Sequence, residues 1–216
     1  MSGIEAVVFD LDGVLVDSDY IWHEVREGLA RERGGAWTDH SEADMMGMSS
    51  TEWSQYLHDV VGLPESPREL NDEVVRRMFA RYEEELPLMT GASEVVRRLA
   101  ASFRLAVASS SNRELIDGVL EAAGLSSCFE ATVSSEEVTR GKPAPDVFLG
   151  AAARLGVDPA RCAAIEDSAN GIRAAHAAGM RVVAIPNRRY PPGVDTLALV
   201  EVVLESLGRL NPAVLE

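Results

Sequence analysis

Two aspartates one residue apart, Asp10 and Asp12, stand in the segment Phe9-Asp10-Leu11-Asp12-Gly13-Val14, directly after an apolar, β-branched run. The carboxyl end of a buried strand is where α/β sheets place ligands, and a turn at Gly13 brings both carboxylates toward one crevice. Taken alone, Asp-X-Asp-Gly is equally an Asx-turn with a helix cap. Three later segments add weight. Ala106-Val107-Ala108-Ser109-Ser110-Ser111-Asn112 ends a strand in hydroxyls just before a helix, suited to a phosphate or simply to capping. Arg140-Gly141-Lys142-Pro143-Ala144-Pro145-Asp146 sets a cation on a loop stiffened by two prolines. Ile165-Glu166-Asp167-Ser168 ends another strand in adjacent acids, with Asp167 or Ser168 able to cap the next helix. Crowded carboxylates repel one another unless a cation joins them, and their oxygens suit Mg²⁺. With a lysine alongside, the set fits phosphoryl transfer, which needs positioning and charge neutralisation above all.

These loops work together only if the elements carrying them share one sheet edge. Residues 4–9, 104–108, 131–134, 163–165 and 181–185 are short and apolar, as parallel strands covered on both faces should be. Helical patterns lie between them at 93–101, 112–123, 145–155 and 168–178, with Gly124, Gly156 and Gly179 just past three of these. The alternation predicts an α/β, Rossmann-like three-layer core with a mostly parallel sheet.

From Asp19 to Leu88 only helix signals occur. Ser66-Pro67-Arg68-Glu69 is a capping box with proline at the first helical position, opening a helix toward Glu85. Ser49 or Ser50, with Glu52, opens another toward Val60. The expected organisation is a core of residues 1–16 and 89–216 and an inserted, all-helical cap of residues 17–88.

The 216 residues include 35 acids and 20 bases, a formal charge of −15, which argues against a nucleic-acid partner but not against a small phosphorylated ligand. Of the bases, 19 are arginine and one, Lys142, is lysine. A chain so devoted to arginine keeps its lysine where a compact ammonium is wanted, since arginine's planar fork would crowd a shared site. Cys128 and Cys162 read as small core residues, being too few for a disulfide scaffold or a zinc site. No stretch reaches the length of a membrane span, and Met1 leads into the first strand without a basic-then-apolar leader, so a cytoplasmic location is expected.

On these motifs the chain resembles the haloacid dehalogenase-like hydrolases, in their beta-phosphoglucomutase-like branch with a helical cap. The resemblance rests on Asp-X-Asp-Gly-Val at 10–14, Ser109, Gly-Lys-Pro-X-Pro-Asp at 141–146 and Ile-Glu-Asp-Ser at 165–168, in that order. It implies that Asp10 is the nucleophile forming an aspartyl-phosphate and Asp12 the general acid and base. It further implies that Ser109 and Lys142, with Ser110 beside them, bind the phosphoryl group. Asp10, the Asp12 backbone carbonyl and Asp167 would hold Mg²⁺, with Glu166 bound directly or through water.

The branch contains phosphatases and a mutase. The mutase pattern has a histidine where this chain has Trp22, with His23 one residue late, and an arginine where it has Ser50. A phosphatase of a small phosphorylated metabolite, a sugar phosphate, is therefore expected ahead of a mutase. A receiver-like signalling module is too short and lacks the insertion, and a non-catalytic phospho-ligand-binding protein ranks lower still. Trp22, Met48, Ser50 and Arg77 are the cap residues expected to meet the substrate. Nothing in the sequence demands more than a monomer or implies a protein partner.

Overall fold

The computed structural model describes residues 3–215; the reading that Met1 opens the chain without a leader falls on residues 1–2, which lie outside them, as does Glu216. All five anticipated strands form: β1 (Ala6–Phe9), β2 (Arg104–Ser109), β3 (Ala131–Ser134), β4 (Cys162–Glu166) and β5 (Arg181–Ala184). A sixth, β6 (Val202–Val203), joins the edge; two residues are too short to carry a legible pattern. The sheet runs β3-β2-β1-β4-β5-β6 with every pairing parallel.

Side chains alternate across this sheet because successive Cβ atoms point to opposite faces. Val7, Phe9, Leu105, Val107 and Ile165 pack with the helices Ala92–Ala100 and Arg113–Ala122 on one face. Ala6, Val8, Ala106, Ala108 and Ala164 pack with the helices Asp146–Leu155 and Ala169–Ala177 on the other. Burial of each large apolar side chain contributes roughly 1.5–3 kcal/mol, so the two cores fix the sheet between its helical layers. Cys162 is fully buried in the second core, and Cys128 is half-buried against the first.

Register does the positioning. Phe9 stands level with Val107 on one side and Ile165 on the other. One residue further, Asp10 follows the end of β1 and Glu166 closes β4, while Ser109 closes β2. Charged and hydroxyl groups thus leave the sheet together at its carboxyl edge.

Four helices lie between β1 and the next sheet helix: α1 (Asp19–Arg33), α2 (Ser41–Met45), α3 (Ser50–Asp59) and α4 (Pro67–Glu84). Both predicted capping boxes close, Ser66 with Glu69 and, at α3, Ser49 rather than Ser50 with Glu52. The five-residue α2 has no counterpart among the predicted helices, being shorter than two turns. The cap has its own core, in which Ile21, Leu29, Trp53, Leu57, Val74 and Met78 are buried. Its two connections to the sheet run side by side: Val16 bridges Leu88, and the Asp17 N–H donates to the Pro87 carbonyl at 2.8 Å. Among the described residues no helix is long and apolar enough to cross a membrane.

Candidate active site

Asp10 is anchored as β1 ends, its N–H donating to the Ile165 carbonyl at 3.0 Å. The chain then turns at Gly13, with φ +78°, and passes so close to Asp167 that a Cβ at Gly13 would collide with that carboxylate. Only glycine meets both conditions. The turn folds Asp12 back toward the sheet, where its carboxylate is held from three sides. Its Oδ1 accepts from the Ser18 hydroxyl at 2.5 Å and from Trp22 Nε1 at 3.0 Å. Its Oδ2 accepts from the Ser111 hydroxyl at 2.5 Å. Asp12 therefore links the loop after β2 to the first cap helix.

Lys142 reaches the same place from the loop after β3. Its Nζ lies 2.9 Å from Asp10 Oδ1 and 2.6 Å from Glu166 Oε1, and the side chain is buried. Burial works against its charged form, but the Asp10 and Glu166 carboxylates outweigh it and hold Lys142 above its ordinary pKa. Glu166 uses its second oxygen to accept from the N–H groups of Asp167 and Ser168, at 3.0 and 3.1 Å, and from the Ser168 hydroxyl. Gly171 permits this, because a Cβ there would overlap the Glu166 carboxylate. Ser168 is also the N-cap of the following helix, accepting from the Gly171 N–H at 3.1 Å.

Asp10, Glu166 and Asp167 bring carboxylate oxygens within 4.8 Å of one another, all three buried. Burial pushes the Asp10 carboxyl up to about 8, with Glu166 and Asp12 adding to the rise and Lys142 opposing it. Burial, then the neighbouring Glu166 and Asp10, likewise hold Asp167 well above the usual carboxylate range. Three carboxylates facing one ammonium are short of positive charge, and their oxygens are the donors a hard divalent cation takes. These residues fit Mg²⁺ on that chemistry.

A cavity of about 70 Å³ lies over this cluster, with Asp10, Asp12 and Lys142 on the core side and Trp22, Arg26 and Met48 on the cap side. Ser109 is fully buried, and its hydroxyl accepts from the Ser111 N–H at 3.0 Å. Ser110 lines the cavity and donates to the Gly47 carbonyl of the cap at 3.2 Å. Trp22 and Met48 reach the cavity as expected of substrate contacts, though the Trp22 N–H is committed to Asp12. Ser50 instead donates to Glu136 at 3.0 Å, tying α3 to the core.

Arg77 is not brought to the cavity. Its guanidinium is engaged by Glu73, one turn earlier on α4, and by Glu32 of α1 at 2.6 Å, away from the lining residues. Acids within a turn and across the helix pair capture it, which its position in the sequence does not disclose.

Several polar residues of the site were not singled out in the sequence. Ser111 positions Asp12, and Asn187 donates to Asp167 Oδ2 at 2.9 Å and to Asp19 Oδ2 at 2.5 Å. Asn187 follows β5, so the strand-end rule that found the other loops points to it as well. Arg26 and Glu42 face the cavity from the cap and carry no motif. Burial raises the Asp19 carboxyl above its ordinary pKa, opposed by Asn187.

The chain matches the family model for haloacid dehalogenase-like hydrolase over residues 4–179. It is 33% identical over 183 residues to a bifunctional riboflavin kinase/FMN phosphatase of Arabidopsis thaliana, covering 84% of this chain and 48% of that protein. The chain thus spans about half the length of that relative. Hexitol phosphatase B of Escherichia coli (strain K12) is 33% identical over 229 residues, 96% of this chain and 95% of the relative. Among solved structures, CbbY from Rhodobacter sphaeroides in complex with phosphate is similar with a TM-score of 0.86 at 26% identity, covering 98% of this chain and 99% of that one. The motif loops, the sheet that aligns them and these likenesses agree, and the chain belongs to the haloacid dehalogenase-like hydrolases.

Proposed function

We propose that this protein is a Mg²⁺-dependent phosphatase that hydrolyses a small phosphorylated metabolite, a sugar phosphate, through an aspartyl-phosphate on Asp10. The observation that carries the reading is the buried cluster of Asp10, Lys142, Glu166 and Asp167 beneath a cavity lined by Asp10, Asp12, Lys142 and Asp167. An oxygen of Asp10 attacks phosphorus, and the bond to the leaving oxygen breaks as that oxygen takes a proton from Asp12. Asp12, now a carboxylate, takes a proton from a water whose oxygen attacks the same phosphorus. Phosphate leaves and Asp10 is restored. Ser111, Ser18 and Trp22 keep Asp12 within reach for both transfers.

Lys142 supplies positive charge to Asp10 and to the phosphoryl oxygens, assisted by the buried Ser109 and the loop carrying Ser110. When bound through Asp10, Asp167 and the Asp12 carbonyl, Mg²⁺ supplies charge neutralisation at the phosphoryl group. Glu166, whose oxygens are already engaged, anchors Lys142 and leaves direct ligation to the two aspartates.

Cap residues roof Asp10 and Lys142, so the cap would open to admit the substrate by bending at the paired connections near Val16 and Leu88. Residues 17–88 would move as the cap and the remainder would stay as the core. A mutase is disfavoured because Trp22 fills the histidine position and Ser50 the arginine position. Every group in the scheme comes from one chain, so a monomer suffices, acting on a soluble metabolite in the cytoplasm.

The test is a phosphate-release screen of the full chain over a broad phosphomonoester panel, with Mg²⁺ and with EDTA, checking β-glucose 1-phosphate for isomerisation as well. Release that EDTA silences and Mg²⁺ restores is expected. No release from any ester, or isomerisation without release, would overturn the assignment.

A further inference from the structure

Arg26 and Glu42 line the cavity opposite the phosphoryl site, and the hydrolytic scheme gives them no part. They are 5% and 3% exposed, and Arg26 Nη1 donates to Glu42 Oε1 at 3.1 Å. The guanidinium lies 4.4 Å from the centre of the Trp22 ring and 4.9 Å from that of Trp53, which fixes its plane. Beside this single bond, Arg26 Nε and Glu42 Oε2 are buried without any hydrogen-bond partner. Buried donors and acceptors on charged groups are seldom left unmatched, because desolvation costs them their water and returns nothing. These unmatched atoms belong to two residues that line the cavity, a place where a polar group of the substrate can answer them.

We propose that Arg26 and Glu42 form the specificity contact for the leaving group, reading a neutral vicinal diol such as a polyol or sugar chain carries. This rests on the phosphatase reading and deepens it by naming the substrate class. As the cap closes, one hydroxyl donates to Glu42 Oε2 while the oxygen of its neighbour accepts from Arg26. A hydroxyl both donates and accepts, so adjacent hydroxyls answer both groups at once. A second phosphate or a carboxylate is disfavoured, since Glu42 already neutralises Arg26 and Asp19 adds a further acid to the wall. An ammonium is disfavoured by Arg26 itself. Trp22 and Met48 give the carbon side of the chain an apolar surface.

The test measures kcat/KM of the full chain with Mg²⁺ on three esters: sorbitol 6-phosphate, hexyl phosphate without hydroxyls, and fructose 1,6-bisphosphate. The wild type should favour the polyol ester over both others by about tenfold or more, the scale of one hydrogen bond to a charged group. Glu42→Met removes the acceptor Oε2 and offers the hydroxyl no other partner, and should erase most of the polyol-over-hexyl preference through KM. The double variant Arg26→Met with Glu42→Met removes the pair without stranding a charge and should do the same. It decides the matter if the single variant fails to fold, as judged by thermal melting. A merely structural pair would lower both esters alike, and an unchanged ratio in a folded variant overturns the diol assignment. A wild type that prefers the hexyl ester or the bisphosphate overturns it too, leaving the phosphatase reading standing. No phosphate from any ester overturns that reading instead.

Discussion

Core and cap both bury charge against one cavity, but they balance it differently. In the core Asp10, Glu166 and Asp167 face a single ammonium, Lys142. In the cap one carboxylate, Glu42, faces one guanidinium, Arg26. The core set has an excess of negative charge that burial makes expensive, so it calls for a cation and, through it, for phosphate. The cap pair is neutral overall and short of hydrogen bonds rather than of charge, so it calls for a neutral polar group. Together they describe a substrate with an anionic end and a hydroxylated end.

The comparison breaks most visibly at the core. Replacing Asp12 with Ala should lower kcat by about 10²–10⁴-fold, the usual worth of a positioned acid or base. Rapid-quench measurement should show both formation and breakdown of the phosphorylated enzyme slowed, and unchanged rates for both would reject its role. Lys142→Arg keeps the charge but replaces a compact ammonium with a wide planar fork beside two carboxylates. Steady-state turnover should fall by about 10²–10³-fold, comparable to losing a donor to the transition-state oxygens.

A smaller effect is expected at the seam between the regions. Trp22→Phe keeps the ring that stacks on Arg26 but removes the N–H that holds Asp12. A loss of about five- to tenfold in kcat, the scale of one hydrogen bond, should appear with little change in KM. The smallest effect belongs to the outer face of the cap. Arg77→Ala breaks pairs that water screens, and kcat/KM should stay within about twofold of wild type.

Much of the core was legible in the chain. Parallel strands have one apolar pattern and one edge at which their loops gather, so the sequence alone assigns Asp10, Lys142, Glu166 and Asp167 to a common place. Gly13 and Gly171 were harder to value, because the carboxylates that forbid a Cβ there arrive from elsewhere in the chain. Asn187 followed the strand-end rule but carries no charge to draw notice. The cap was legible as helices and capping boxes, not as chemistry. Its arginines look alike in sequence. Arg77 meets Glu73 and Glu32 on an outer face, while Arg26 is buried between two tryptophans opposite a short helix that the pattern did not reveal. Helical periodicity gives a face and not a partner, and the partner decides whether a cation binds substrate or merely joins two helices.

Hydrolysis by this route depends on Asp10 carrying the phosphoryl group. The direct measurement is mass spectrometry of the full chain, acid-quenched during turnover of a hydrolysed ester with Mg²⁺ and digested to peptides. A phosphoryl mass on the peptide and residue of Asp10, absent from an Asp10→Asn variant that no longer releases phosphate, is the result the account predicts. Continued phosphate release by that variant, or a phosphoryl group trapped on another residue, would contradict it.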